Sequence, residues 1–133
     1  MVRVLLAVTH EQLRVALKEH LVVTGEVVCG EAGTPEQLWE QLWHHEWNVV
    51  ILDMPLSGQT KLQSVRTLHE LYPVIPILVM SLAIDIGRHH WEEAGASGVV
   101  PKAKLATELP EAVRIISRGG VYFSGDGPEE TRT

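Results

Sequence analysis

Three side chains at the ends of apolar runs could do chemistry together. VVILD (49–53) ends in Asp53, PILVMS (76–81) ends in Ser81, and ASGVV (96–100) leads through Pro101 to Lys102. An acid, a hydroxyl and a cation make a versatile set. A carboxylate can attack as a nucleophile, an ammonium offsets negative charge as a point cation, and a hydroxyl can hold an anion's oxygen. A carboxylate in a buried position is also costly unless something pairs with it. Asp53 is therefore either chemically active or held by a structural ion pair with Lys102.

The elements that must position this trio alternate along the chain. VRVLLAV (2–8), EVVCGEA (26–32), NVVILD (48–53), PILVMS (76–81) and ASGVV (96–100) read as short buried strands, rich in β-branched residues. Between them lie segments with helical spacing. Thr9 is placed to cap the first helix, with Leu13, Ala16, Leu17 and Leu21 on its inner face. Thr34-Pro35 starts the second, which runs to about His45. Leu62, Val65, Leu68, Leu71 and Tyr72 mark the third, and 84–94 form a weaker fourth. Leu109, Ala112, Val113 and Ile116 line the last, closed by Gly119-Gly120. VYFS adds a short extended piece, and GDGPEETRT (125–133) reads as a tail or the start of a linker. Strand and helix alternating five times predict a three-layer α/β fold of flavodoxin-like (βα)5 type, with a five-stranded parallel sheet. Ligands of such sheets gather at the carboxyl ends of the strands, where Asp53, Ser81 and Lys102 converge.

Bulk properties narrow the classes. The chain of 133 residues suits one domain, and its net charge of −6 argues against this piece binding nucleic acid alone. Cys29 is the only cysteine, so no disulfide framework or multi-cysteine metal site is expected, and a cytoplasmic setting follows. No apolar run reaches membrane-spanning length. The turn AVTHEQ has no glycine-rich phosphate loop, which disfavours a cofactor-binding enzyme. His44-His45 and His89-His90 point about 100° apart on a helix and read as surface residues, not ligands. Cys29 reads as a small core residue. Trp39, Trp43 and Trp47 lie four apart, with Leu38 and Leu42 competing for the inner face. That leaves Trp43, and separately Trp91 in a polar stretch, as candidate interface residues.

The stretches RVLLA…H (3–10), VVCGEA (27–32), VVILD (49–53), PILVMS (76–81), AGASG (94–98), Lys102 and ISRGGVYFS (116–124) together resemble a response-regulator receiver domain. The likeness is closest to receivers of the NarL/FixJ type, which usually precede a helix-turn-helix DNA-binding domain. It covers residues 2 to about 124, so 1–124 is taken as the receiver domain. The resemblance implies the CheY-like fold and gives the trio its roles. Asp53 stands at the phosphoacceptor position, and Ser81 and Lys102 stand where the phosphate is contacted.

Measured against that family, several positions depart. A working receiver binds magnesium with two acids just after the first strand. Here those positions hold Val8 and Thr9, neither of which supplies a carboxylate. Glu11 is the nearest acid, but helix geometry points it outward. Leu82 replaces a small residue beside Ser81, Val99 replaces the switch aromatic, and Met54-Pro55 follows Asp53 at once. The expectation is a degenerate receiver that is not an enzyme, holds no metal or other cofactor and works without phosphorylation. It would serve as the regulatory and dimerisation module of a transcriptional regulator. Its partners would be a second copy, a histidine kinase or another regulator, and DNA only through a further domain. Two alternatives remain open. One is a phosphorylatable receiver that binds Mg2+ in a distorted site at Asp53. The other is a stand-alone adaptor that docks a kinase or another regulator.

Overall fold

Strand β1 (Val2–Val8) is buried on both faces from Val4 to Val8, and this sets the architecture. Successive side chains alternate sides. Leu5 and Ala7 enter one apolar layer, while Val4, Leu6 and Val8 enter the other. The structure is a computed structural model that describes residues 1–82 and 87–124. After β1 come α1 (Glu11–Val22), β2 (Val27–Ala32), α2 (Pro35–His44), β3 (Val49–Asp53), α3 (Lys61–Leu71), β4 (Ile77–Ser81), α4 (Arg88–Ala94) and β5 (Gly98–Pro101). A 3₁₀ turn (Lys102–Lys104), α5 (Leu105–Ser117) and β6 (Tyr122–Phe123) complete the order. Helices α2, α3 and α4 cover one face through Leu38, Leu42, Val65, Leu68, Trp91 and Ala94. Helices α1 and α5 cover the other through Leu17, Leu21, Leu109, Ala112, Val113 and Ile116.

The sheet is parallel throughout, in the order β2-β1-β3-β4-β5-β6. It therefore has six strands where five are expected. The sixth is two residues long and extends the β5 edge, with the Tyr122 amide donating to the Ser97 carbonyl at 3.0 Å and that of Ser124 to Val99 at 2.9 Å. The order reverses between β1 and β3, which puts the switch point where Val8 is in register with Asp53.

Two expected starts and ends shift. Thr9 does not cap α1; His10 holds the cap position, with no side-chain bond, and Thr9 is exposed. The fourth helix is described only from Arg88, after Gly87 at φ 83°; residues 84–86 of the expected helix lie outside the described residues, as does the 125–133 tail. Thr34 and Pro35 start α2 as expected, the Thr34 hydroxyl accepting from the Gln37 amide.

Tyr122 anchors the added strand. Its hydroxyl donates to Glu108 Oε1 at 2.9 Å. Burial first, then this bond and the charges of Glu108 and Glu111, push the phenol up to about 12. A raised pKa means the unfolded state loses its proton first, so stability is fully present below about 10 and falls as pH rises from there to about 12. Urea titrations at pH 9 and pH 11 are expected to show a lower midpoint at pH 11, with the difference reduced in Tyr122→Phe.

Candidate functional site

The β3–α3 connection builds the site. Thr60 and Gln63 form a reciprocal capping box, which fixes Lys61 as the first residue of α3. Ser64, fully buried, accepts from the Leu56 amide at 2.7 Å and donates to the Thr60 carbonyl at 2.8 Å, pinning the loop to the helix. A cation in the first helical turn opposes the helix dipole. An ion pair offsets that cost: Lys61 Nζ lies 2.7 Å from Asp53 Oδ1 and 2.8 Å from the Met80 carbonyl.

Lys102 follows β5 and reaches Asp53 from the other side, with Nζ 2.7 Å from Oδ2. Both carboxylate oxygens are thus held by ammonium groups. The Asp53 side chain is only 5% exposed, while the two lysines keep about a quarter of theirs in water (25% and 24%). Among the described residues, one negative and two positive charges meet here, a sum of +1. Ser81 ends β4, between the strands that carry Asp53 and lead to Lys102, and is half-buried. The expected trio is therefore brought to one rim, and the expected Asp53–Lys102 pair forms.

The neighbouring end of β1 carries no acid. Val8 is completely buried and belongs to the apolar layer under α1 and α5. Its carbonyl accepts a bond from Arg14 Nη1 at 2.8 Å. Arg14 is held in turn by Glu31 at 2.9 Å, and Lys18 joins the same carboxylate at 3.3 Å. The Arg14 hydrogen bond is the main reason the Glu31 carboxyl sits below the usual carboxylate range. Glu11 is exposed in the first turn of α1 and makes no ion pair among the described residues. Leu82 projects into solvent, 83% exposed, and Val99 is buried between β4 and β6. A buried valine has no polar tip that could change partners.

Other candidate residues separate clearly. Trp43 is 79% exposed on α2, with Leu38 and Leu42 facing the core. Trp91 corrects its expected role: at 3% exposure it is a core residue of the α4 layer and offers no surface to a partner. The polar surroundings in sequence hid this, because α4 turns its polar residues His89, His90, Glu92 and Glu93 outward around one inward ring. Trp47 lies over Gly30, where any Cβ would strike the indole, and its Nε1 donates to the Gln41 carbonyl at 2.9 Å. Cys29 is half-buried, and burial raises its thiol to about 11, an unreactive state. His89 and His90 stack with ring centroids 4.3 Å apart, closer than helical divergence implies, and Glu93 has a ligand atom within 4.8 Å of theirs. All three are exposed, and among the described residues no hydrogen bond orients them as a ligand set requires.

Two site residues escape the sequence reading. Lys61 was recoverable from Thr60-x-x-Gln63, which places it at a helix start eight residues after Asp53. Arg14 carries no local signal, since its contact to Val8 depends on how α1 returns across β1.

The profile of the response regulator receiver domain matches residues 4–114. The transcriptional regulatory protein DegU of Brevibacillus brevis is 30% identical over 118 residues, covering 86% of this chain and 49% of that protein. The transcriptional activator protein ExaE of Pseudomonas putida is 31% identical over 125 residues, covering 90% and 57%. The chain thus spans about half the length of these relatives. Among solved structures, the isolated receiver domain of RcsB from Salmonella enterica serovar Typhimurium, in the apo form, superposes with a TM-score of 0.84 over 100% of both chains at 18% identity. A LuxR-family response regulator from Aurantimonas sp. SI85-9A1 gives 0.80 at 21% identity, covering 98% of this chain and 94% of that one. Likeness at that identity speaks to the fold. With most of the chain matched by the family profile and an aspartate at the end of β3, this chain belongs to the response-regulator receiver family, as a receiver domain of a two-component response regulator.

Proposed function

We propose that this receiver works without phosphorylation, as the regulatory and dimerisation module of a cytoplasmic transcriptional regulator. The observation that carries this reading is the state of Asp53. Both of its oxygens already sit on ammonium groups, and among the described residues no second carboxylate stands beside it to help hold a metal. Phosphoryl transfer to a carboxylate depends on stabilising charge at the transferring group. Here the nucleophile is engaged and the Val8 and Thr9 positions supply no anion. Leu82 and Val99 add to this, since neither gives the access nor the movable aromatic of a phosphate-driven switch.

Output passes to DNA through a helix-turn-helix domain outside these 133 residues. The relatives are named as transcriptional regulators, and the match covers only about half of their length, which supports that placement. A second copy of the chain is the first partner, with a histidine kinase or another regulator as the alternative. The exposed indole of Trp43 is the contact we assign to a partner, because a large aromatic left in water gains most from burial. Ser81 and Lys102 keep the phosphate-contact positions and favour the rival reading, a receiver still phosphorylated in a distorted site. Lys61 weighs against it.

Sedimentation equilibrium with and without fluoroberyllate and millimolar magnesium tests the proposal. Unchanged association is expected. A shift of oligomeric state on fluoroberyllate that disappears in Asp53→Asn would overturn it.

A further inference from the structure

A receiver fold implies a divalent cation beside the strand-three carboxylate, and this chain's residues do not fit one. Magnesium demands about six oxygen ligands in octahedral geometry. Four oxygens at the ends of β1, β3 and β4 already accept from cationic side chains. Asp53 Oδ1 and the Met80 carbonyl take Lys61 Nζ at 2.7 and 2.8 Å. The Val8 carbonyl takes Arg14 Nη1 at 2.8 Å. Asp53 Oδ2 takes Lys102. The described charges around Asp53 sum to +1 and would have to accept two more positive charges, with Val8 buried in an apolar layer alongside.

We propose that the Lys61 ammonium is a built-in cation that takes the place of the metal and excludes divalent ions from Asp53. This deepens the reading above and rests on Asp53 being an unphosphorylated, structural carboxylate. One ammonium joins the end of β3 to the end of β4. Its position is not accidental to the helix, because the Thr60–Gln63 capping box fixes where the Lys61 side chain starts. Arg14 does the equivalent for the β1 carbonyl. The rim is thus closed to cations by permanent charges of the chain, and its state is independent of magnesium concentration.

The test is isothermal titration with magnesium chloride and manganese chloride on the 133-residue chain and three variants, with circular dichroism to verify folding. Thr9 is exposed, so Thr9→Asp adds an acid near Asp53 without disturbing the core. The wild type is expected to bind neither ion at millimolar concentration. Thr9→Asp alone should gain little, because Lys61 still covers Asp53. Thr9→Asp with Lys61→Met should bind manganese at least about tenfold more tightly than Thr9→Asp alone, a gap of about 1.4 kcal/mol. Thr9→Asp with Lys61→Arg should behave like Thr9→Asp, since the cation is retained. Equal affinity of Thr9→Asp with and without Lys61→Met, including no binding by either, would overturn the inference and leave the proposed function standing. Magnesium binding by the wild type would overturn both. Should the double variant with methionine fail to fold, Thr9→Asp with Lys61→Gln against Thr9→Asp makes the same comparison.

Discussion

Asp53→Ala is expected to lower the unfolding free energy by about 3 kcal/mol, at the lower end of the range for removing one partner of a buried ion pair. Among the described residues, the change removes the only anion paired with Lys61 and Lys102, and the two ammonium groups would then face each other without it. The loss stays at the lower end because each lysine keeps about a quarter of its side chain in water and can turn outward. Asp53→Asn should fall between alanine and wild type, since the amide oxygen still accepts one bond. Lys102→Met should cost less than Asp53→Ala, because Asp53 keeps Lys61. Urea denaturation of the four proteins ranks them. An Asp53→Ala protein as stable as wild type would show that the double ion pair contributes nothing. It would also remove the physical reason for an acid to remain at a site without chemistry.

Trp91→Ala is the second large effect, expected to cost about 3–5 kcal/mol as a large-to-small change in the core. The ring is almost wholly buried in the layer formed by α2, α3 and α4. Its Nε1 is buried with no hydrogen-bond partner among the described residues, so Trp91→Phe removes an unsatisfied donor and is expected to cost far less. Trp43→Ala should change stability by less than about 0.5 kcal/mol, as an exposed substitution. It is Trp43→Ala, not Trp91→Phe, that should weaken self-association. The two tryptophans thus separate stability from partner contact. A stable Trp91→Ala protein that dissociates on dilution would reverse their roles.

These cases show what the sequence could and could not tell. Strands β1, β3 and β4 were legible because they lie inside a parallel sheet covered on both faces and read as nearly unbroken apolar runs. Asp53, Ser81 and Lys102 were legible because strand ends in such a sheet meet at one rim, and the Asp53–Lys102 pair follows from charge alone. Lys61 was missed because its role depends on a helix start, not on a strand end, and the capping box that sets it was not read. Arg14 was missed because an arginine on a surface helix gives no sign that it curls onto a strand carbonyl. Trp91 was misread for the opposite reason. Its sequence neighbours are polar, but a seven-residue helix buries only one narrow stripe, and Trp91 and Ala94, three apart, make up that stripe. The sixth strand was suggested only as an extended piece, since two residues carry too little pattern to identify a strand.

The central claim is that Asp53 does not accept a phosphoryl group. Intact-mass spectrometry after incubation with acetyl phosphate, with and without magnesium and with Asp53→Asn alongside, tests it most directly. The account predicts no adduct in any arm. A magnesium-dependent phosphoryl adduct on the wild type that is lost in Asp53→Asn would contradict it, and would make Asp53 a working switch that displaces Lys61 to bind its metal.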